Sequence, residues 1–270
     1  MKRLFCLLFI CLFLWGCNAQ VTELSHKMPH SQGVSETAPS VEPLPDIPVN
    51  PYGPIDFGYE GDYMACFGGE YILGMDISHH QTEVNWQQVK AAGIDYVMIR
   101  VGQRGSEQGL LMEDRLFREH YAGAKAAGIK IGCYFFSQAI TPEEATEEAN
   151  YLLELTRDWE LDMPIAYDWE FMPGDNNRTG EMDRQTLTDC TVAFCETIKT
   201  AGHKPMVYFN QEQARTMLIL EKLLDYEFWL AMYTDSMSYN YQVNMWQYTQ
   251  TGSVPGITGD VDLNLYLIYS

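Results

Sequence analysis

The stretch Pro164-Ile165-Ala166-Tyr167-Asp168-Trp169-Glu170 sets two carboxylates two residues apart, just before the chain breaks at Pro173-Gly174-Asp175-Asn176-Asn177. An apolar run that ends in acids reads as a buried strand, 163–170, delivering them to a solvent-facing edge. Alternate strand residues share a face, roughly 7 Å apart, so Asp168 and Glu170 look into one space and Trp169 looks away. Two carboxylates held together resist double ionisation, and one pKa rises. A carboxylic acid kept protonated beside a charged partner is equipped to protonate a leaving group near neutral pH. The plainer reading, that one acid caps the next turn or pairs with a basic side chain, fits an isolated D-x-E equally well.

The elements around this stretch decide between the two. From Tyr71 onward strands and helices alternate. The pattern predicts strands at 72–78, 96–102, 130–137, 163–170, 205–210, 228–233, 244–249 and 261–267. Amphipathic helices are expected at 85–92, 114–127, 141–157, 183–201 and 211–224. Thr141-Pro142-Glu143-Glu144 is an N-cap with Pro at N1, and three helices stop at Ala-Gly. Five βα units followed by three strands with non-helical links predict an α/β fold, a single TIM-like barrel of the irregular (β/α)5β3 type. The late links are too short for crossover helices, so partly antiparallel pairing is expected there. Tyr59–Glu70, aromatic and Gly-rich, reads as an irregular lead-in.

Chemistry in a βα barrel sits at the C-terminal ends of the strands. Those ends carry Asp76, Tyr134, Asp168 with Glu170, Tyr208 and Trp246, and the eighth strand opens on Asp260-Val261-Asp262. Acids and aromatics converging on one mouth suit a sugar, with rings stacking on pyranoses and acids handling the glycosidic oxygen. The runs Gly74-Met75-Asp76-Ile77-Ser78-His79-His80-Gln81, Val84-Asn85-Trp86 and Ala92 to Arg100 resemble the opening of glycoside hydrolase family 25 lysozymes. Gly132–Phe136, Tyr167–Glu170, Pro205–Tyr208, Trp229–Tyr233, Met245–Tyr248, Val254–Ile257 and Val261–Asn264 follow in that family's order, so the resemblance covers about 72–270. It implies a 1,4-β-N-acetylmuramidase cutting peptidoglycan between N-acetylmuramic acid and N-acetylglucosamine. It further implies Glu170 as catalytic acid, Asp168 as its partner, Asp76 and Asp262 as further cleft acids, and Tyr134, Tyr208 and Trp246 as groove aromatics. Two courses stay open: retention, with the substrate's acetamido oxygen attacking while Asp168 orients it, or inversion, with Asp76 or Asp262 activating water. The alternatives are a catalytically idle saccharide-binding barrel and a chitin-cleaving barrel of family 18. The latter's D-x-x-D-x-D-x-E run is absent, since Pro164 to Tyr167 precede Asp168.

Composition narrows the rest. A formal charge of -20 over 270 residues argues against nucleic acid or anionic lipid as partners. Lys2 and Arg3 precede a short apolar run, Leu4–Trp15, and Leu14-Trp15-Gly16-Cys17 resembles a bacterial lipobox, with Trp15 bulkier than the usual residue there. Residues 1–17 are therefore expected to be a signal peptide with Cys17 as lipidation site, 18–58 a disordered stem and 59–270 the catalytic barrel. The expected location is outside the cytoplasm, anchored by lipid and facing the cell wall, or else secreted. Peptidoglycan strands are the expected partner of a monomer. Cys66, Cys133, Cys190 and Cys195 are read as buried thiols before any disulfide pattern. His79-His80 has no metal-ligand spacing around it, so neither metal nor other cofactor is expected. Met206, Met232 and Met245 read as core fillers.

Overall fold

The computed structural model describes residues 47–174 and 176–269; the expected signal peptide, the expected lipidation site Cys17 and the expected stem as far as residue 46 lie outside them. In chain order the elements are β1 (Phe57–Glu60), β2 (Tyr63–Cys66), β3 (Glu70–Ile77), α1 (Trp86–Ala91), β4 (Tyr96–Arg104), β5 (Leu111–Glu113), α2 (Phe117–Ala126) and β6 (Lys130–Ser137). They continue with α3 (Pro142–Thr156), β7 (Ile165–Trp169), α4 (Arg184–Thr200), β8 (Pro205–Asn210), α5 (Gln211–Thr216), β9 (Glu227–Ala231), β10 (Met245–Gly252) and β11 (Val261–Ile268). Eight strands close a barrel in the order β3-β11-β10-β9-β8-β7-β6-β4, sealed by β3 pairing with β4. This is the (β/α)5β3 arrangement, with all eight expected strands present.

Local chemistry sets the helix ends. Asn85, Thr141 and Asp183 cap α1, α3 and α4 through side-chain oxygens that accept backbone N–H groups. The Ala-Gly stops work as expected, with Gly93, Gly128 and Gly202 all at positive φ. The fifth helix is shorter than the sequence pattern indicates and ends at Thr216 instead of 224. Leu218 and Leu220 are both buried, and two residues two apart cannot share one helical face, so the chain turns and re-enters as a 3-10 turn, Leu220–Lys222.

Among the eight strands that close the barrel, antiparallel pairing is confined to one: β11 runs against both β10 and β3. By contrast β10 is parallel to β9 although no helix joins them. That helix-free flank is covered from the other end of the chain. Phe57 packs edge-on to Trp246 at 5.1 Å, Met64 donates its N–H to the Tyr248 hydroxyl, and Tyr52 stacks on Tyr269. The expected irregular lead-in is thus a hairpin, β1 with β2. The expected stem boundary at 58 also moves. Ile47 is buried, Val49 bridges Tyr241 and the Asn50 N–H reaches Asn240 O, so this segment is held along the connection that leads into β10.

Inside the barrel, Tyr96, Met98, Met206 and Met245 form a plug. Gly74 makes room for it, since a Cβ there would lie 2.2 Å from the Tyr96 ring. Met232 belongs to the outer core instead. The lumen is therefore a filled floor, and only its upper end opens. The four cysteines expected to be thiols are free and buried.

Candidate active site

Side-chain parity on the barrel strands builds the cleft. Asp168 on β7 pairs in register with Tyr208 on β8, Tyr208 with Trp229 on β9, and Asp76 on β3 with Asp262 on β11. Each of these side chains points inward above the methionine plug. With Glu170, one residue beyond β7, they line a cleft of about 220 Å³ together with Tyr134, Arg100, His80, Tyr233 and Gln247. A larger groove, about 810 Å³, runs along the outer flank between α1 and α2, with Trp86 and Glu119 in its wall; it contains none of the four acids.

The acids fall into two pairs. Asp76 is buried, and its Oδ2 accepts from the amides of Gln247 and Asn264, both at 2.8 Å. Gln247 is fixed in turn by the hydroxyls of Tyr208 and Tyr233, which donate to its Oε1 at 2.9 and 3.0 Å. Asn264 Oδ1 accepts from the Trp229 indole at 2.8 Å. Burial lifts the Asp76 carboxyl to about 6, with the amide bonds pulling it back down. Asp262 is hydrogen-bonded to Asp76, and burial plus that neighbouring charge push it up to about 9. Burial and mutual repulsion lead the pair to share a proton, and the two amide donors favour the negative charge on Asp76.

Asp168 and Glu170 form the second pair. Asp168 is buried, its Oδ1 has no hydrogen-bond partner, and burial followed by repulsion from Glu170 raises its pKa well above the usual range. Glu170 stands at the rim in contact with solvent, and crowding by the cleft walls and then the charge of Asp76 raise its pKa too. Arg100 pulls both the other way. Its guanidinium is anchored at 3.0 Å to buried Asp114, which also accepts from His79. The His79 and His80 rings lie 4.2 Å apart, tilted by 33°, and His79 also contacts Arg100. Among the described residues no group of three His, Cys, Asp or Glu side chains is placed to hold a metal ion.

The structure brings Asp76, Asp168, Glu170, Asp262, Tyr134 and Tyr208 together. Trp246 is elsewhere: it is fully buried on the outer side of the sheet, with its indole N–H bonded to Met232 O at 2.8 Å. Neighbours on a strand face opposite ways, so if Gln247 enters the cleft, Trp246 must leave it. Sequence reasoning passed over Arg100, Trp229, Tyr233 and Gln247 as site residues. A cation inside the otherwise apolar run Tyr96–Val101 was a usable signal for Arg100. The amide role of Gln247 had none.

A closed α/β barrel with acids from three strands gathered under aromatic rings at its C-terminal mouth belongs to the barrel glycoside hydrolases. Residues 75–257 match Glycosyl hydrolases family 25, and the chain belongs to that family. It is 29% identical over 195 residues to an autolytic lysozyme of Clostridium acetobutylicum, an alignment covering 72% of this chain and 55% of that protein. The solved structure of the modular autolysin LytC from Streptococcus pneumoniae, in complex with a synthetic peptidoglycan ligand, superposes with a TM-score of 0.65 at 25% identity, covering 73% of this chain and 47% of that one. A bacterial lysozyme from Streptomyces coelicolor superposes with a TM-score of 0.61 at 25% identity, covering 73% and 92%. The chain thus spans about half the length of the clostridial and pneumococcal proteins.

Proposed function

We propose that this protein is a peptidoglycan muramidase that hydrolyses the β-1,4 bond between N-acetylmuramic acid and N-acetylglucosamine. The observation that carries the reading is the convergence of Asp76, Asp168, Glu170 and Asp262 on one aromatic-lined cleft. Glu170, at the rim with a raised pKa, donates its proton to the leaving glycosidic oxygen. Asp168 turns its unpartnered Oδ1 to the substrate's acetamido N–H, and the acetamido oxygen attacks C1 as the glycosidic bond breaks. Glu170, now ionised, takes a proton from the water that opens the resulting ring intermediate, so configuration is retained. This course is favoured over inversion because Asp76 is tied by two amides and shares a proton with Asp262, which leaves neither free as a base for water. Tyr134 and Tyr208 supply the saccharide-facing rings. The basic start, the short apolar run Leu4–Trp15 and the lipobox-like Leu14–Cys17 support a location outside the cytoplasm on a lipid anchor at Cys17.

The test is digestion of purified peptidoglycan, reduction of the products and identification of the reduced sugar. Muramitol is expected. Glucosaminitol, or release of peptides alone, refutes the reading, and folded protein that binds glycan without cutting it makes this an idle saccharide-binding barrel.

A further inference from the structure

Strand β7 stops at Trp169, one residue short of Glu170, and the chain then leaves through exposed Phe171 into the 171–183 connection. A proton donor at such a place would move with its loop. It is held instead by two glutamines. Gln138, the residue after β6, is fully buried and donates its side-chain amide to Glu170 O at 2.8 Å and to Ser137 O at 2.8 Å. Gln213, in the first turn of α5 after β8, is buried and donates to Trp169 O at 2.7 Å. The strands on either side of β7 thus each send one amide across, just past the last register pairs Ser137 with Trp169 and Asp168 with Tyr208.

The two carbonyls belong to the two peptide planes that flank the Glu170 Cα. Each plane is rigid, so fixing both carbonyls fixes φ and ψ at Glu170 and with them the direction in which its side chain leaves. The glutamines are themselves immobilised. Gln138 Oε1 lies 3.3 Å from the Thr179 hydroxyl, whose hydrogen is shared with Asn177 Oδ1 at 2.8 Å, and Gln138 O accepts from Arg178, whose guanidinium pairs with Glu144 at 2.6 Å. Gln213 exchanges bonds with Asn210 in a capping box, at 2.8 and 2.9 Å. We infer that Gln138 and Gln213 are positioning residues that clamp the backbone on both sides of Glu170 and so aim its carboxyl at the glycosidic oxygen. The inference rests on Glu170 being the acid of the proposed reaction.

Gln138→Met and Gln213→Met keep length and remove the donor. The experiment measures kcat, KM and the pH dependence of kcat on soluble glycan-strand fragments, beside thermal unfolding of each variant. With either carbonyl released, kcat is expected to fall about 10- to 100-fold, since a misplacement near 1 Å costs about that much. KM should stay within about twofold. The basic limb of the kcat profile should move to lower pH, as the carboxyl swings away from Asp76 into water. Loss of a merely structural bond would lower the unfolding temperature and leave kcat and the limb of the folded fraction untouched. Folded variants with wild-type kcat and limb overturn the clamp. Should Gln138→Met fail to fold, Gln213→Met, acting from the opposite strand, decides by the same readings. Wild-type protein that releases no muramic reducing ends overturns the activity itself, and an active Glu170→Gln overturns the acid assignment; both are distinct from wild-type activity with intact variants.

Discussion

Trp246 is the residue for which family resemblance and structure point to opposite roles, and Trp246→Phe separates them. The indole is fully buried, meets Phe57 edge-on and donates to Met232 O. Phenylalanine preserves a ring for Phe57 but loses the N–H and part of the volume. Met232 O retains a second donor, the Thr234 N–H at 3.0 Å, so it is not orphaned and the lost bond costs about 1 kcal/mol. A void of about 40 Å³ at ~24 cal/mol per Å³ adds about 1 kcal/mol, and the lost transfer of those carbons about 1 more. The total, about 3 kcal/mol, corresponds to a fall of about 6–12 °C in Tm for a domain of this size. Differential scanning calorimetry measures it. Titration of a glycan fragment, held well below the transition, should give unchanged affinity. Wild-type Tm with weakened saccharide binding would refute the burial argument and return Trp246 to the groove.

Glu170→Gln should lower turnover on peptidoglycan by about 10²–10⁴-fold while glycan binding persists, measured by reducing-end release and calorimetric titration. For Asp76→Asn the sign follows from the charge it removes. Glu170 acts while protonated, so the rate falls as pH rises through its raised pKa; the negative charge of Asp76 helps to raise that pKa, so a neutral residue there should move the basic limb of the pH–rate profile to lower pH. A limb that stays in place removes Asp76 as the tuning charge. Gly123→Ala brings a methyl within 2.2 Å of the Trp86 ring, and overpacking of about 1–3 kcal/mol should exceed the gain in helix propensity of up to about 1 kcal/mol, which urea unfolding reads as a net loss. Cys17→Ser should release the protein from membranes or block its processing; a mature N-terminus mapped beyond residue 17 without lipid would defeat the anchor.

What the sequence revealed and what it hid follow one physical line. The βα units were legible because helix caps, Ala-Gly stops and apolar strand runs are local signals, and Lys130–Ser137 and Pro205–Asn210 match at both ends. Asp168 and Glu170 were legible because strand parity needs only two residues. The β1–β2 hairpin was not, because four-residue strands covering a distant flank show no clean alternation: their burial follows Trp246 and Tyr248, some 180 residues on. Trp246 was misplaced because a motif fixes the register of a run without saying which neighbour faces in. The Asp76 amides and the two clamping glutamines were invisible for a related reason. An amide at a strand end carries no chemical signature until the partner strand is beside it.

The seam of the barrel has a consequence for when the site comes into being. Asp76 lies on the first barrel strand and Asp262 and Asn264 on the last, and the bond from Asn264 to Asp76 joins residues 188 apart. Such a contact is the slowest kind to form, because the whole intervening chain must be ordered before its loop-closure entropy is recovered. An emerging chain therefore presents Asp168 and Glu170 early, yet has no closed cleft, no amide support for Asp76 and no shared proton until β11 arrives. Completion of the barrel acts as its own safety catch: a chain still short of β11 carries Asp168 and Glu170 but not the arrangement that makes them work.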